Sequence, residues 1–253
     1  MEIKYYTEES VFRPENLLRE ARRQKNLKDC VVPKVCVLDP DGDIVRYLKK
    51  NDAKLNSCWA CYHSEMYTSR YHDLDFGIIG CAVGASYAVL LTEQLFVSGC
   101  ELLVSVTSAG KLNEKITKDY LLIDETIRDE GTSYHYLPPE VPSHLDRDLS
   151  ANLQGLSDKM NLSVQQGRSW TTDAPYRETA TAILDAKSKG ADCVEMEASA
   201  LYAFSKVKSR KVVCFAHLTN SMAQQNGDFE KGAENGSLTS LELIYQTARL
   251  LGF

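Results

Sequence analysis

The chain has 253 residues, 43% of them hydrophobic and 25% charged, with a formal net charge of −6. That much apolar surface supports a folded core and excludes a disordered or collagen-like chain. The balance of 29 Lys+Arg against 35 Asp+Glu offers no basic field for nucleic acid. No stretch approaches the roughly 18 apolar residues of a membrane span.

The N-terminus, MEIKYYTEESVF, carries acids and lacks the apolar core of a signal peptide, which points to a cytoplasmic chain. In that compartment the eight cysteines are expected as reduced thiols. The basic cluster from Arg19 to Lys28 reads as the exposed face of a helix in an N-terminal extension, residues 1–32. Pro33 to Leu38 is a short apolar run read as a strand and closed by the turn cluster Asp39-Pro40-Asp41-Gly42, and Asp43 to Lys50 follows as a helix. Cys58-Trp59-Ala60-Cys61 is a C-x-x-C without a second ligand pair, so its sulfurs read as small buried hydrophobes. Phe76 to Ala82 is a second strand and Ala85 to Val97 a helix ended by Gly99. Leu102 to Thr107 is a third strand, followed by a small-residue turn, Ser108-Ala109-Gly110.

Further on, Tyr134 to Leu137 reads as a strand, Leu145 to Met160 as a helix and Leu162 to Gln166 as a strand. Thr179 to Lys189 is helical and stops at Gly190. Cys193-Val194 is a brief strand, Ala198 to Lys206 an Ala-rich helix, Lys211 to Leu218 an apolar strand and Leu238 to Leu251 a terminal helix. Strands alternating with helices predict one α/β domain over residues 1–253, a mixed central sheet flanked by helices. Chemistry in such a fold belongs in the loops after Leu38, Ala82, Thr107, Val194 and Leu218, at the strand ends.

Two of those loops carry distinctive residues. Gly80-Cys81-Ala82-Val83-Gly84 opens a helix whose backbone N–H groups can hold an anion or polar atom, but it lacks the dinucleotide fingerprint. Cys193-Val194-Glu195-Met196-Glu197-Ala198 sets two carboxylates at the mouth of an apolar strand. A carboxylate there can accept from two vicinal hydroxyls of a ribose; acids at a helix N-terminus are also favoured by the macrodipole alone.

Val194-Glu195-Met196-Glu197-Ala198 resembles the ribose-binding V-E-M-E-A segment of the nucleoside phosphorylase family. That family includes uridine phosphorylase, hexameric purine nucleoside phosphorylase and methylthioadenosine nucleosidase. Ile127 to Pro138, Thr171 to Glu178 and Val106 to Gly110 resemble further family segments, in family order. The resemblance, closest to uridine phosphorylase-like members, implies cleavage of an N-glycosidic bond through a ribosyl cation. Inorganic phosphate, the co-substrate of a phosphorylase, or water attacks the anomeric carbon. Met196 would underlie the ribose, Glu197 would bind its 2′ and 3′ hydroxyls, and Glu195 would steady both. Ser108 falls where a family hydroxyl meets phosphate, with Gly84 near it. No metal, nicotinamide or flavin is implied, and a homo-oligomer (dimer, trimer or hexamer) is.

The departures are informative. Leu38-Asp39-Pro40-Asp41-Gly42 stands where the family reads G-D-P-x-R, Ser105 stands at a second phosphate-arginine position, and the loop from Tyr62 to Tyr67 supplies no third. Arg46, Arg70 and Arg128 are possible replacements. Bidentate arginine is the usual phosphate clamp, so its absence weakens phosphate binding and leaves three readings open, with phosphorolysis leading. They are phosphorolysis, hydrolysis by water activated at Asp43, and a nucleoside-binding protein without catalysis. Asn220, at the end of the last strand, suits a base with a carbonyl beside an N–H, as in uracil or a 6-oxopurine. Gln166 and Arg168 resemble a uracil-reading pair, though they precede the Thr171-Thr172-Asp173 segment, whereas in the family the pair follows it. Trp170 and Tyr176 are candidates to stack on a base. His135 and His217 are minor candidates for polar contacts.

Overall fold

The apolar run that ends at Asp39 becomes β1 (Val35–Asp39), all five residues buried. A strand without polar alternation must be covered on both faces, and parallel neighbours supply that setting. β1 pairs in parallel with β4 (Leu74–Gly80) and β5 (Leu102–Lys111). The computed structural model describes residues 4–157, 164–220 and 231–253.

Outward from β4 lie β3 (Tyr67–Tyr71) and the two-residue β2 (Lys54–Leu55), both antiparallel. On the other side the sheet closes on itself. β5 pairs with β8 (Cys193–Glu195), which pairs with β7 (Val164–Thr172). β7 pairs with β6 (Tyr120–Asp129), β6 with β9 (Lys211–Asn220), and β9 returns to β5. This closed ring of five strands is one end of a mixed nine-stranded sheet.

Helices cover the outside. α1 (Pro14–Lys25) packs on α3 (Ala85–Val97), and α2 (Asp43–Lys50) buries Ile44, Val45 and Leu48. The short α4 (Ser133–Tyr136) and α5 (Arg147–Asn152) follow β6, and α6 (Ala180–Ser188) follows β7. α7 (Ala198–Lys208) is buried along Ala198 to Ser205, where small side chains let it lie close to α3. α8 (Ser237–Leu250) returns to pack on α2.

Four expectations need correcting. Ser108-Ala109-Gly110 is no turn: β5 continues to Lys111, with Ser108 opposite His217 and Gly110 opposite Asn220 across a bulge. Tyr134 to Leu137 is no strand but lies at the helical turn α4. The buried Glu130 carboxylate accepts from the Ser133 N–H (2.9 Å), and Arg128 collects the carbonyls of Leu137, Pro138 and Val141 at 2.7 Å each. These side chains satisfy groups that a strand would have paired with a neighbour. Of the helix expected over 145–160, Arg147–Asn152 forms, started by Asp146 accepting from Asp148 N and Leu149 N; residues 158–160 lie outside the described residues. β6 was not anticipated at all, because its apolar Tyr120 to Ile123 passes into Asp124 and Glu125 without alternation.

The fourth correction concerns the thiols. Cys30 and Cys58 form a disulfide, their Cα atoms 5.2 Å apart, within the range a disulfide spans. The segment after α1 folds back along the chain before β3 and brings them together. The other six cysteines are free, Cys81 exposed and the rest buried. Closing a loop of sequence separation 28 stabilises the fold by about 3.6 kcal/mol on chain-entropy grounds. Denatured without reductant, the chain should therefore titrate six thiols, and Cys30→Ser should lower the unfolding free energy by about that amount. Eight titratable thiols, with Cys30→Ser unchanged in denaturant midpoint, would show the pair to be open.

Candidate active site

Between the end of β8 and the start of α7 the chain makes a sharp turn at Met196 and Glu197. Glu195 builds that turn. Its Oε2 accepts from the N–H groups of Glu197 and Ala198, both at 2.7 Å, and its Oε1 accepts from the Thr171 hydroxyl at 2.5 Å. The carboxylate thereby satisfies first-turn donors of α7 that a helix leaves open. Both its oxygens are used up by the scaffold.

Glu197 is held differently. Its Oε1 accepts from the Gly84 backbone N–H at 2.7 Å. Its Oε2 is buried and meets no donor at bonding geometry among the described residues, and the residue as a whole is only 2% exposed. Burial first, then the charge of Glu195, pushes its carboxyl up to about 8, against the pull of the Gly84 N–H and the Thr107 hydroxyl. A buried acceptor without a donor is costly, and a ligand hydroxyl relieves the cost. Gly84 can make its contact because it adopts φ +93°, in the region that favours glycine. Met196, half-buried, lies between the two acids in sequence.

Next to this junction, the loop after β1 brings three aspartates together. Asp39 accepts from Gly42 N (3.1 Å) and Val45 N (2.9 Å); burial, aided by the nearby Asp41 and Asp43, raises it to about 7. Asp41 Oδ2 accepts from both the backbone N–H (2.9 Å) and the hydroxyl (2.5 Å) of Ser108. Asp43 accepts from Lys231 Nζ and Arg46 Nη2, each at 2.6 Å, and from Asn235 Nδ2 at 3.1 Å. Burial pulls Asp43 upward, but the hydrogen bonds from Lys231 and Arg46 outweigh it and leave its pKa lowered. Lys231 also lies 3.2 Å from Asp41 Oδ2. The cleft lined by Asp39, Asp41, Asp43, Thr107, Ser108 and His217 has a volume of about 10 Å³, close to the least that holds one water.

The electrostatics of this end are therefore acidic. Lys231 and Arg46 are each already paired with an aspartate. A further anion would face carboxylates, and two like unit charges about 4 Å apart repel by about 4 kcal/mol at an effective dielectric of about 20.

The structure brings Gly84, Ser108, Glu195, Met196, Glu197 and Asp43 to one end of the sheet. Asn220 ends β9 with its backbone opposite Gly110; its side chain lies outside what the structure describes. Gln166 and Arg168 are not brought there. They lie toward the opposite end of β7 from Thr171, Gln166 exposed and Arg168 held by Glu125 and by the Lys189 carbonyl (2.6 Å). Tyr176 is fully exposed, whereas Trp170 is buried and donates to Asp129 (2.9 Å). The possible replacement arginines are engaged elsewhere: Arg128 with three carbonyls and Ser133, Arg70 on β3 with the His72 carbonyl, Arg46 with Asp43. His135 is exposed, and His217 stacks on Tyr120 with centroids 4.5 Å apart. Two site residues escaped the sequence reading as functional groups, Asp41 and Lys231. The alternating acids of Asp39-Pro40-Asp41-Gly42-Asp43 were a usable signal for the first. Lys231, 188 positions beyond Asp43, offered none.

The family model described as Phosphorylase superfamily matches residues 34–247. The chain belongs to the phosphorylase superfamily. A uridine phosphorylase of Thermococcus kodakarensis is 21% identical over 230 residues, covering 80% of this chain and 82% of the relative. A guanosine phosphorylase of Halorubrum lacusprofundi is 24% identical over 166 residues, 65% of this chain and 68% of the relative. Among solved structures, a Toxoplasma gondii purine nucleoside phosphorylase in complex with immucillin-H superposes with TM-score 0.71 at 16% identity, covering 86% of this chain and 90% of the other. A Vibrio fischeri uridine phosphorylase gives 0.71 at 18% identity, covering 87% and 91%. The superfamily fold expected from the sequence is thus the fold observed.

Glu197 makes stability depend on pH. Its carboxyl titrates near 8 when folded and at its ordinary 4.5 when unfolded. The stability tied to its proton is full below about 4.5 and is lost as pH rises through about 8. Glu197→Gln, which keeps the neutral form, should melt a few degrees above the parent at about pH 9, the gap closing by about pH 5. Melting curves across that range test this, and a gap independent of pH would contradict it.

Proposed function

We propose that the chain cleaves the N-glycosidic bond of a ribonucleoside, with the ribose 2′ and 3′ hydroxyls on Glu197 and its lower face on Met196. The observation that carries this is the buried Oε2 of Glu197, without a partner among the described residues, beside an oxygen fixed by Gly84 N. A vicinal diol donates two hydrogen bonds to one carboxylate, the complement of what this group lacks. Binding the diol favours the ionised form, so substrate entry would place a negative charge beside a sugar that becomes cationic in the transition state.

For the base, uracil and 6-oxopurines are the proposed class. Asn220 matches a carbonyl beside an N–H, and the relatives named for uridine and guanosine act on nucleosides with that pattern. The names of the relatives make phosphate the first candidate for ribosyl acceptor. The acidic cleft and its paired cations favour the second, water.

Base release from uridine, inosine, guanosine and adenosine, with and without phosphate, is the direct assay. The oxo-bases should be released, and Glu197→Ala should lower kcat/KM by at least about 100-fold with the fold intact. Retained nucleoside binding without release would make the chain a binding protein. Glu197→Ala at the parent rate would remove Glu197 from the ribose.

A further inference from the structure

Three donors converge between β5 and the loop after β1: the Ser108 backbone N–H, the Ser108 hydroxyl and the Lys231 ammonium. Such a set, a backbone amide with a hydroxyl and a cation, is what binds an oxyanion. Here the oxyanion is part of the chain. All three donors meet one atom, Asp41 Oδ2, at 2.9, 2.5 and 3.2 Å. Among the described residues its other oxygen, Oδ1, takes no hydrogen bond. Asp41 is half-buried and holds Ser108, the β5 residue next to Thr107, whose hydroxyl acts on Glu197, so the two carboxylates meet adjacent residues of one strand. The cleft beside it, about 10 Å³, is close to the least that holds one water.

We propose that Asp41 is a built-in counter-anion which occupies the oxyanion seat on Ser108 and Lys231, excludes inorganic phosphate, and deprotonates the water that takes its place as ribosyl acceptor. The proposal rests on nucleoside cleavage as proposed above and adds the identity of the acceptor. The step balances without a further reactant. The water oxygen bonds to the anomeric carbon as the bond from that carbon to the base nitrogen breaks, its electron pair leaving with the base. One water proton passes to Asp41 Oδ1, and the departing base takes a proton from solvent. The products are free ribose and free base. Asp43, the acid that sequence comparison favours for this task, has both oxygens taken, by Arg46 and Asn235 on one and Lys231 on the other, whereas Asp41 keeps Oδ1 without a described partner.

The test uses the full chain. With uridine or inosine, base release should not change with phosphate, the sugar product should be free ribose, and labelled water oxygen should appear at its anomeric carbon. Inorganic phosphate alone should not raise the melting temperature. Asp41→Asn should lose at least about 100-fold in kcat while nucleoside still shifts the melting temperature. Asp41→Ala should empty the seat, so that phosphate now raises the melting temperature and any residual base release becomes phosphate-dependent. Cleavage by the parent that needs phosphate and yields ribose 1-phosphate would overturn the proposal while leaving nucleoside cleavage standing. So would Asp41→Asn at the parent rate. If the parent cleaves no nucleoside under either condition, the underlying function fails, and the water step with it. The phosphate melting series then decides the occupied seat by itself: a shift in the parent, or none in Asp41→Ala, overturns it.

Discussion

A carboxylate buried among backbone N–H groups holds this site together. Glu195 lies at the meeting point of β7, β8 and the start of α7, and its two oxygens take two amides and one hydroxyl. Burying an ion is costly unless each lone pair is used, and here the donors are those that a helix start leaves open. The bend it enforces turns Glu197 back toward Gly84 instead of out along the helix. Remove that clamp, and Glu197 loses its aim before it loses its chemistry.

The second organising feature is the division of labour between paired and unpaired acids. Glu195, Asp39 and Asp43 spend their oxygens on the scaffold, on backbone amides or on cations. Glu197 and Asp41 each keep one oxygen without a described partner. Five carboxylates in one cleft would repel strongly if all were ionised and exposed to one another. The arrangement relieves this in two ways. Burial favours the protonated form at Asp39, Glu195 and Glu197, and Lys231 and Arg46 offset Asp41 and Asp43. A transition state that gains positive charge is the complement of what remains.

Much of this was legible in the sequence, for identifiable reasons. Helix α2 and helix α3 were read with their observed limits because Gly42 and Gly84 stand directly before them and their apolar spacing is local. The Glu195-Met196-Glu197 junction was legible because strand, turn and helix start are contiguous. What could not be read was set by partners distant in sequence. β5 runs past Thr107 because β8 and β9 accept it, and the run Tyr134 to Leu137 lies at a helical turn because Arg128 and Glu130 claim its backbone. Arg168 looked like a base reader until Glu125 and the Lys189 carbonyl were found to hold it. Lys231 had no local pattern, since its meaning comes only from the aspartates it meets across the fold.

Ring closure has a consequence for how copies of this chain can meet. Five of the nine strands pair on both sides in a circuit, β5 to β8, β7, β6, β9 and back. At its other end the described sheet finishes on β2, the two residues Lys54 and Leu55. A strand so short, carrying a lysine, gives a poor template for another chain's backbone. At that end a symmetric partner finds two residues of strand backbone to extend, and the side chains of helices and loops are the larger surface on offer.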